Sequence, residues 1–448
     1  MGHTGAARRR WLTVGAAATV TIALAACGSS SGSGKHSNGS SGGSGSTATM
    51  WLVTTGPSPA NTAVQHLVTS FEKSHPGEKI TINFIENQSF KQKIQLAMGA
   101  GNAPTIFFTW GGGILQQYIK AGDVLSLGSN PSWASAFLPS SLGAVTYNGQ
   151  LYGVPVQGTQ PVYFFYNKKV FSQYHLTFPS TWSGLLSTIS KLKSHGVAPI
   201  ALANGDQWPG LMYLEYLTDR IGGPTVAKDL QANKPNAWSN PAVIKALTDI
   251  QALVKAGAFQ KGYNSTHYSG SGSDALVFTG KAAMQLMGDW DISSILGSDK
   301  SFVTGGNLGM APFPTMPGGK GNPNDLAGNT ASYVAIYSKA SAAQKKVALD
   351  FFKYALTSTQ YAKAQVAAGE VPVTTGAVPL FSGQPLQSYD TAIYKSVQRA
   401  PSFQYSWDQA MTPKVANILL SNLAQVFDLT KTPAQFAAAL NAAAASES

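Results

Sequence analysis

The chain has 448 residues, 44% of them hydrophobic and 11% charged, with 31 basic against 20 acidic side chains and a formal charge of +11. Its length is more than one ordinary core organises and points to two lobes, and its one cysteine, Cys27, excludes an intramolecular disulfide. A nucleic-acid partner is excluded too: the lysines are scattered and only Arg220 and Arg399 follow the cluster Arg8 to Arg10, so no basic stripe forms.

Arg8, Arg9 and Arg10 precede an apolar run from Trp11 to Ala26, the pattern of a secretory signal. At 16 residues the run falls short of the roughly 20 needed to span a bilayer. Leu24-Ala25-Ala26-Cys27-Gly28 resembles a bacterial lipobox, which implies a signal peptide over 1–26 and a lipid on the Cys27 thiol. Arg8 to Leu12 also loosely resembles a twin-arginine export signal, and a plain basic n-region accounts for it equally well. Loss of the three arginines lowers the charge from +11 to +8, a mildly basic solvated surface. With Cys27, residues 28–46 are mostly Gly and Ser and read as a tether, with a random-coil reach of roughly 25 Å.

The body begins near Thr47. Met50 to Thr54 is predicted as a buried strand, and Val64, Leu67, Val68 and Phe71 fall at helical spacing up to His75-Pro76-Gly77. A strand follows over Lys79 to Glu86, a helix over Phe90 to Gly99 and a strand over Thr105 to Thr109, the order of a parallel α/β sheet. A second series has strands at 162–166 and 197–203 with helices at 181–194 and 209–221, then strands at 283–287 and 333–337. Helices dominate after Ser341.

Ligands of open parallel sheets bind beyond the carboxyl ends of the strands. Trp110 stands at one such end, before Gly111-Gly112-Gly113; Asn204, Asp206, Gln207 and Trp208 stand at another; Gly288-Asp289-Trp290-Asp291 at a third. Three tryptophans at three strand ends are more than core packing demands.

Several motifs, in order and spacing, carry a resemblance. They are Gly99-Ala100-Gly101-Asn102-Ala103-Pro104, Tyr152-Gly153-Val154-Pro155, Phe165-Tyr166-Asn167-Lys168, and Phe278-Thr279-Gly280-Lys281-Ala282-Ala283-Met284 ending at Gly288-Asp289-Trp290. Thr181-Trp182, Ala311-Pro312-Phe313-Pro314 and Gly369-Glu370-Val371-Pro372 accompany them. Over 47–440 the chain resembles the extracellular solute-binding proteins of carbohydrate ABC importers related to maltose-binding protein. The resemblance implies a type II periplasmic-binding-protein fold, two α/β lobes with mainly parallel sheets and a ligand cleft between them. Carried onto this chain, lobe one holds 47–155 and 308–360, lobe two 156–307 and 361–448, and the first crossing lies near Val154-Pro155-Val156. It further implies a monomer, lipid-anchored at the outer face of the cytoplasmic membrane, that delivers a di- or oligosaccharide to a permease driven by a separate ATPase, without a cofactor.

A pyranose has an apolar face and a rim of hydroxyls, so its site needs flat aromatic platforms and planar hydrogen-bonding groups. By resemblance Trp110, Trp208, Trp290 and Trp407 are the platforms. Asp289, Asn87, Gln88, Asp206 and Glu370, beside strand ends or hinges, are the candidates for hydroxyl contacts. Trp51, Trp133, Trp182 and Trp238 are assigned to packing or helix starts.

The seven histidines are dispersed without metal-ligand spacing, and no phosphate-cradling loop is present. Gly28-Ser29-Ser30-Ser31-Gly32 matches a nucleophile elbow only within the tether, and Ser70-Phe71-Glu72-Lys73 spends Phe71 on a helix face. A secreted glycoside hydrolase is the rival from another class, and needs two carboxyls about 5 to 9.5 Å apart. Asp289 and Asp291 do not establish such a pair. A same-fold binder of iron or polyamine would favour clustered tyrosines or several cleft carboxylates rather than tryptophans.

Overall fold

The computed structural model describes residues 46–56, 58–270 and 272–447. The signal, Cys27 and residues 28–45 lie outside the described residues. Ser46, expected in the tether, opens the first strand and donates its N–H to Gly77 O at 2.8 Å.

Strand β1 (Ser46–Thr54) buries Ala48, Met50 and Leu52 on alternate positions and pairs in parallel with β2 (Glu78–Glu86) along its whole length, from Ser46 opposite Glu78 to Thr54 opposite Glu86. The helix Pro59–Ser74 between them starts where Ser58 Oγ accepts the Ala60 N–H and Pro59 fixes the first turn. The helix Asn87–Gly99 is started by the Glu86 carboxylate, which takes the N–H groups of Gln88 and Ser89 at 3.0 Å. That contact holds the Glu86 pKa below its usual value against the opposing effect of burial. β3 (Ile106–Thr109) pairs with the other edge of β1. After a small hairpin, β4 (Thr146–Tyr147) with β5 (Gln150–Leu151), come β6 (Val154–Gln157) and, in the second sheet, β7 (Gln160–Asn167), β8 (Ala198–Ala201) and β9 (Ala282–Gly288). β10 (Leu308–Ala311), β11 (Leu326–Asn329), β12 (Ser332–Ile336) and β13 (Phe403–Tyr405) complete the strands.

The first sheet has the order β2-β1-β3-β12-β6 and the second β13-β11-β7-β9-β8, with β10 also on β7. Pairing directions leave one strand in each running against the rest, β12 in the first and β7 in the second. Each sheet has its own buried core, one built around Met50, Phe107, Val334 and Phe351, the other around Phe164, Leu214, Met284 and Trp407.

One expected boundary is corrected. Residues 308–329 were assigned with lobe one, yet β10 and β11 hydrogen-bond to β7 of the second sheet, so the chain returns to the first sheet only between Asn329 and Ser332. A strand joins the sheet whose free edge it meets, and its own residues do not encode which edge that is. The passage out of the first sheet lies just beyond the expected Val154-Pro155-Val156, at Gly158-Thr159. Among the described residues no helix is long and apolar enough to cross a membrane.

Candidate functional site

The carboxyl ends of β1, β3, β6, β9 and β11 and the starts of the two reversed strands, β7 and β12, come to one place between the two cores. There a cavity with about 970 Å³ of empty space, its open mouth included, is lined by Val53, Thr54, Phe108, Gln157, Gln160, Gly328, Asn329 and Ser332 among others.

Trp110, Trp208 and Trp290 all line it, the first packed on one core and the other two on the second, each partly exposed. Trp110 stands edge-on to Phe108 (centroids 4.9 Å, 82°) and Phe90 (6.0 Å, 78°), which fix its plane. Trp208 and Trp290 lie 6.0 Å apart at 55°. Trp290 reaches the cavity because β9 ends in Gly288: a Cβ there would sit 1.9 Å from its Cζ3, so only glycine lets the indole fold over the strand end. Trp208 is delivered by a sharp turn at Gln207 (φ 65°, ψ −45°) ahead of the helix Trp208–Gly222.

Of the polar candidates, Asn87 and Glu370 line this cavity. Asn87 Oδ1 is buried without a partner in the protein. Burial pushes the Glu370 carboxyl up to about 8 despite a 3.5 Å contact from Gln365 Nε2, so near neutral pH it carries a proton it can donate. Gln88 and Asp206 are absent from this lining and belong to an adjoining cavity. There Gln88 Nε2 donates to Asp206 O at 3.3 Å across the two cores, and the Asp206 carboxylate meets His267 Nδ1 at 2.6 Å and accepts the Tyr268 N–H at 2.7 Å.

Two expectations are overturned. Trp407 is fully buried: its ring packs edge-on to Trp238 (5.8 Å, 79°) and its Nε1–H donates to Gln404 Oε1 at 3.0 Å, so it offers no face to a ligand. Its backbone N–H donates to Glu215 Oε1 at 2.7 Å, and that anchorage turns the next residues, Asp408 and Gln409, to the cavity instead. Asp289 is also buried and outside the lining. Its pKa is raised well above the usual range, first by burial and then by the neighbouring carboxyls of Glu370 and Asp390. Asp291 accepts from Gln285 Nε2 at 2.5 Å and Tyr268 OH at 3.1 Å and is likewise away from the cavity.

The sequence did not single out Lys91, Asp408 or the floor. Lys91 Nζ is 4.0 Å from Asp408 Oδ2 and 5.4 Å from the Trp110 ring centroid. On the floor, Gln160 Oε1 accepts from Ser332 Oγ at 3.1 Å and Asn329 Nδ2 at 3.4 Å, tying together the two chain passages between the sheets. The flanking of Val154-Pro155-Val156 by Gln157 and Gln160 was the available signal for that floor.

The two cores also touch beside the cavity. Tyr405 OH donates to Trp110 O, Ser269 Oγ donates to Glu86 Oε1 at 2.9 Å, and Gly270 N–H donates to Thr55 O at 2.8 Å. A Cβ on Gly112 would lie 2.3 Å from Gln409 O, and one on Gly113 2.1 Å from Met411 O. Among the described residues no group of three or more His, Cys, Asp and Glu is placed to hold a metal ion. Indoles, amides and hydroxyls in one cleft suit a neutral, hydroxylated ligand with apolar faces.

Known proteins share this architecture. An uncharacterized ABC transporter extracellular-binding protein of Pyrococcus horikoshii is 28% identical over 240 residues, 51% of this chain and 52% of its own; the chain thus spans about half the length of the first curated relatives it matches. A solved structure from work on xylan utilization by the thermophilic bacterium Caldanaerobius polysaccharolyticus is 30% identical, with a TM-score of 0.79 over 88% of this chain and 99% of that one. A chitin oligosaccharide binding protein is 26% identical, with a TM-score of 0.81 over 90% and 99%. The family model described as bacterial extracellular solute-binding protein matches residues 55–397, and the chain, with its two sheets closing on one cleft, belongs to that family.

Proposed function

We propose that this protein captures a di- or oligosaccharide between two lobes and presents it, unchanged, to the permease of an ABC importer. The observation that carries the reading is the convergence of Trp110 from one core with Trp208 and Trp290 from the other on a single amide-rich cavity. If a ring face removes ~60 Å² of apolar surface from water, each platform contributes about 1.5 kcal/mol. Net hydrogen bonds add about 1 kcal/mol each, while micromolar binding needs about 8 kcal/mol beyond the cost of association. One indole with a few amides falls far short, so several platforms and many polar contacts must act together.

In this reading one lobe comprises 46–157 and the stretch returning at 330, the other 158–329 and the C-terminal helices. Sugar touching both lobes favours the closed arrangement by its differential affinity, and the permease, with a separate ATPase, recognises that form. A lipid on Cys27 would keep the body at the outer face of the cytoplasmic membrane, a multi-chain anchor being needed because one acyl chain binds only marginally. The relatives named for xylan utilization and chitin oligosaccharide binding favour a β-linked ligand.

The test is a thermal-shift panel of mono- to tetrasaccharides, read together with tryptophan fluorescence and scattering-derived size. Ligand at 100 times its Kd adds about 2.7 kcal/mol of stability. A panel in which no sugar shifts any of the three signals defeats the proposal, and turnover of nitrophenyl glycosides would establish the hydrolase in its place.

A further inference from the structure

Past Trp110 the cleft continues into a second cavity, with about 1060 Å³ of empty space, its open mouth included, between the helices Asn87–Gly99 and Pro413–Phe427 and the turn at Asn204–Asp206. Lys91, Phe108, Trp110, Asp408 and Gln409 line both cavities and form the partition between them. Across it the 4.0 Å contact of Lys91 with Asp408 bridges a helix of the first core to a turn of the second.

Three features of this cavity state what it can take. Its wall is rich in amides, Gln88, Gln92, Gln95, Gln207, Gln409 and Asn417, each able to donate and accept, and Gln409 Oε1 is buried with no partner in the protein. The carboxylates on its wall are already engaged, Asp206 by His267 and Tyr268 and Asp408 by Lys91, Ser406 Oγ (3.1 Å) and Gln409 Nε2 (2.9 Å), so a ligand there has no free charge to answer. Phe90, Ile94 and Leu420 supply apolar surface for C–H faces. The backbone of Gln207 adds a separate observation. At φ 65° and ψ −45° it occupies a region that side-chain-bearing residues rarely adopt, a strain of order 1 to 3 kcal/mol that persists at ligand sites. Its neighbours serve one cavity each, Asp206 the second and Trp208 the first.

We propose that the second cavity is a continuation of the sugar cleft that receives the further pyranose units of a neutral oligosaccharide too long for the first, with the Lys91–Asp408 bridge lying across the passage and setting how many units bind. This rests on the carbohydrate reading above and narrows it from a disaccharide to longer chains.

The experiment is titration calorimetry on the full chain with xylo-, cello-, chito- and malto-oligosaccharide ladders of two to six units. Gln92→Trp and Asn417→Trp, at exposed positions on opposing helices, fill the second cavity and leave the first as it is. In the ladder that binds, affinity rises with length by roughly tenfold or more, a gain of about 1.4 kcal/mol per tenfold. Each variant abolishes that rise while the disaccharide Kd stays within about twofold. Disaccharide binding with no gain on lengthening, or a gain that survives both variants, overturns the continuation and leaves the carbohydrate reading standing. No binding in any ladder overturns the carbohydrate reading and this inference with it.

Discussion

Replacing Gly288 with alanine asks whether the placement of one indole, and not merely its presence, carries binding. The added Cβ would lie 1.9 Å from Trp290 Cζ3 and 2.3 Å from Cε3 and Cη2. Ordinary contact starts at 3.4 Å, so the ring must retreat by about 1.5 Å, the difference between the two distances. A platform displaced that far no longer lies against the face it covered. The loss is then most of the ~1.5 kcal/mol assigned to one ring face, or roughly tenfold in Kd. Overpacking at the strand end costs about 1 to 3 kcal/mol of stability as well, so circular dichroism and a urea midpoint accompany the calorimetry. Trp290→Ala is the comparator, and its loss of affinity should match that of Gly288→Ala. Wild-type affinity in a folded Gly288→Ala chain would refute the assignment of Trp290 as a platform.

Three further outcomes follow from the site. Trp407→Phe leaves the sugar Kd within about twofold but costs on the order of 1 to 3 kcal/mol in urea unfolding, because Gln404 Oε1 loses its donor; a selective loss of affinity would return Trp407 to the cleft. Burial raises Glu215 and Glu370 each to about 8, against an ordinary value of about 4.3. The folded chain therefore holds protons that the unfolded chain releases, and stability falls as pH rises from about 5 to 8, by up to about 1.4 kcal/mol per pH unit for each group. Glu370→Gln gains stability relative to wild type across that window, and a pH-independent difference in urea midpoints would contradict this. Lys91→Met removes the cation beside the buried Asp408; affinity should drop by about 1 kcal/mol, roughly fivefold, and small-angle scattering should need correspondingly more sugar to reach the compact size. An unchanged titration would show that the bridge plays no part.

Much of the architecture was legible because it is written locally. Alternate burial of Ala48, Met50 and Leu52, and the helical spacing of Val64, Leu67, Val68 and Phe71, give β1 and the helix after it without reference to the rest of the chain. Trp110, Trp208 and Trp290 were legible for a different reason. Trp110 follows β3, Trp290 stands two residues past β9 and Trp208 lies beyond the turn after β8, and the ends of parallel strands in one sheet converge. Trp407 was not, since its direction depends on Glu215, which is 192 residues away in sequence and invisible to local pattern. Asp289 failed for a similar cause, as its carboxyl is buried beside Glu370 and Asp390, which are remote in sequence and invisible to local pattern. Asp206 and Gln88 were found in the right neighbourhood and fell on the far side of a partition, Lys91 with Asp408, that has no sequence signature. Sheet membership of β10 and β11 depended on β7, and so on the tertiary arrangement.

The approach of Gly112 and Gly113 to Gln409 O and Met411 O has a practical consequence. Where two jaws shut main chain against main chain, one methyl group is a wedge. Gly113→Ala should prop the mouth ajar while leaving every ligand-facing group in place, giving a receptor that can be loaded but not latched. Such a chain would separate capture from hand-over, two events that the proposed mechanism joins in a single movement.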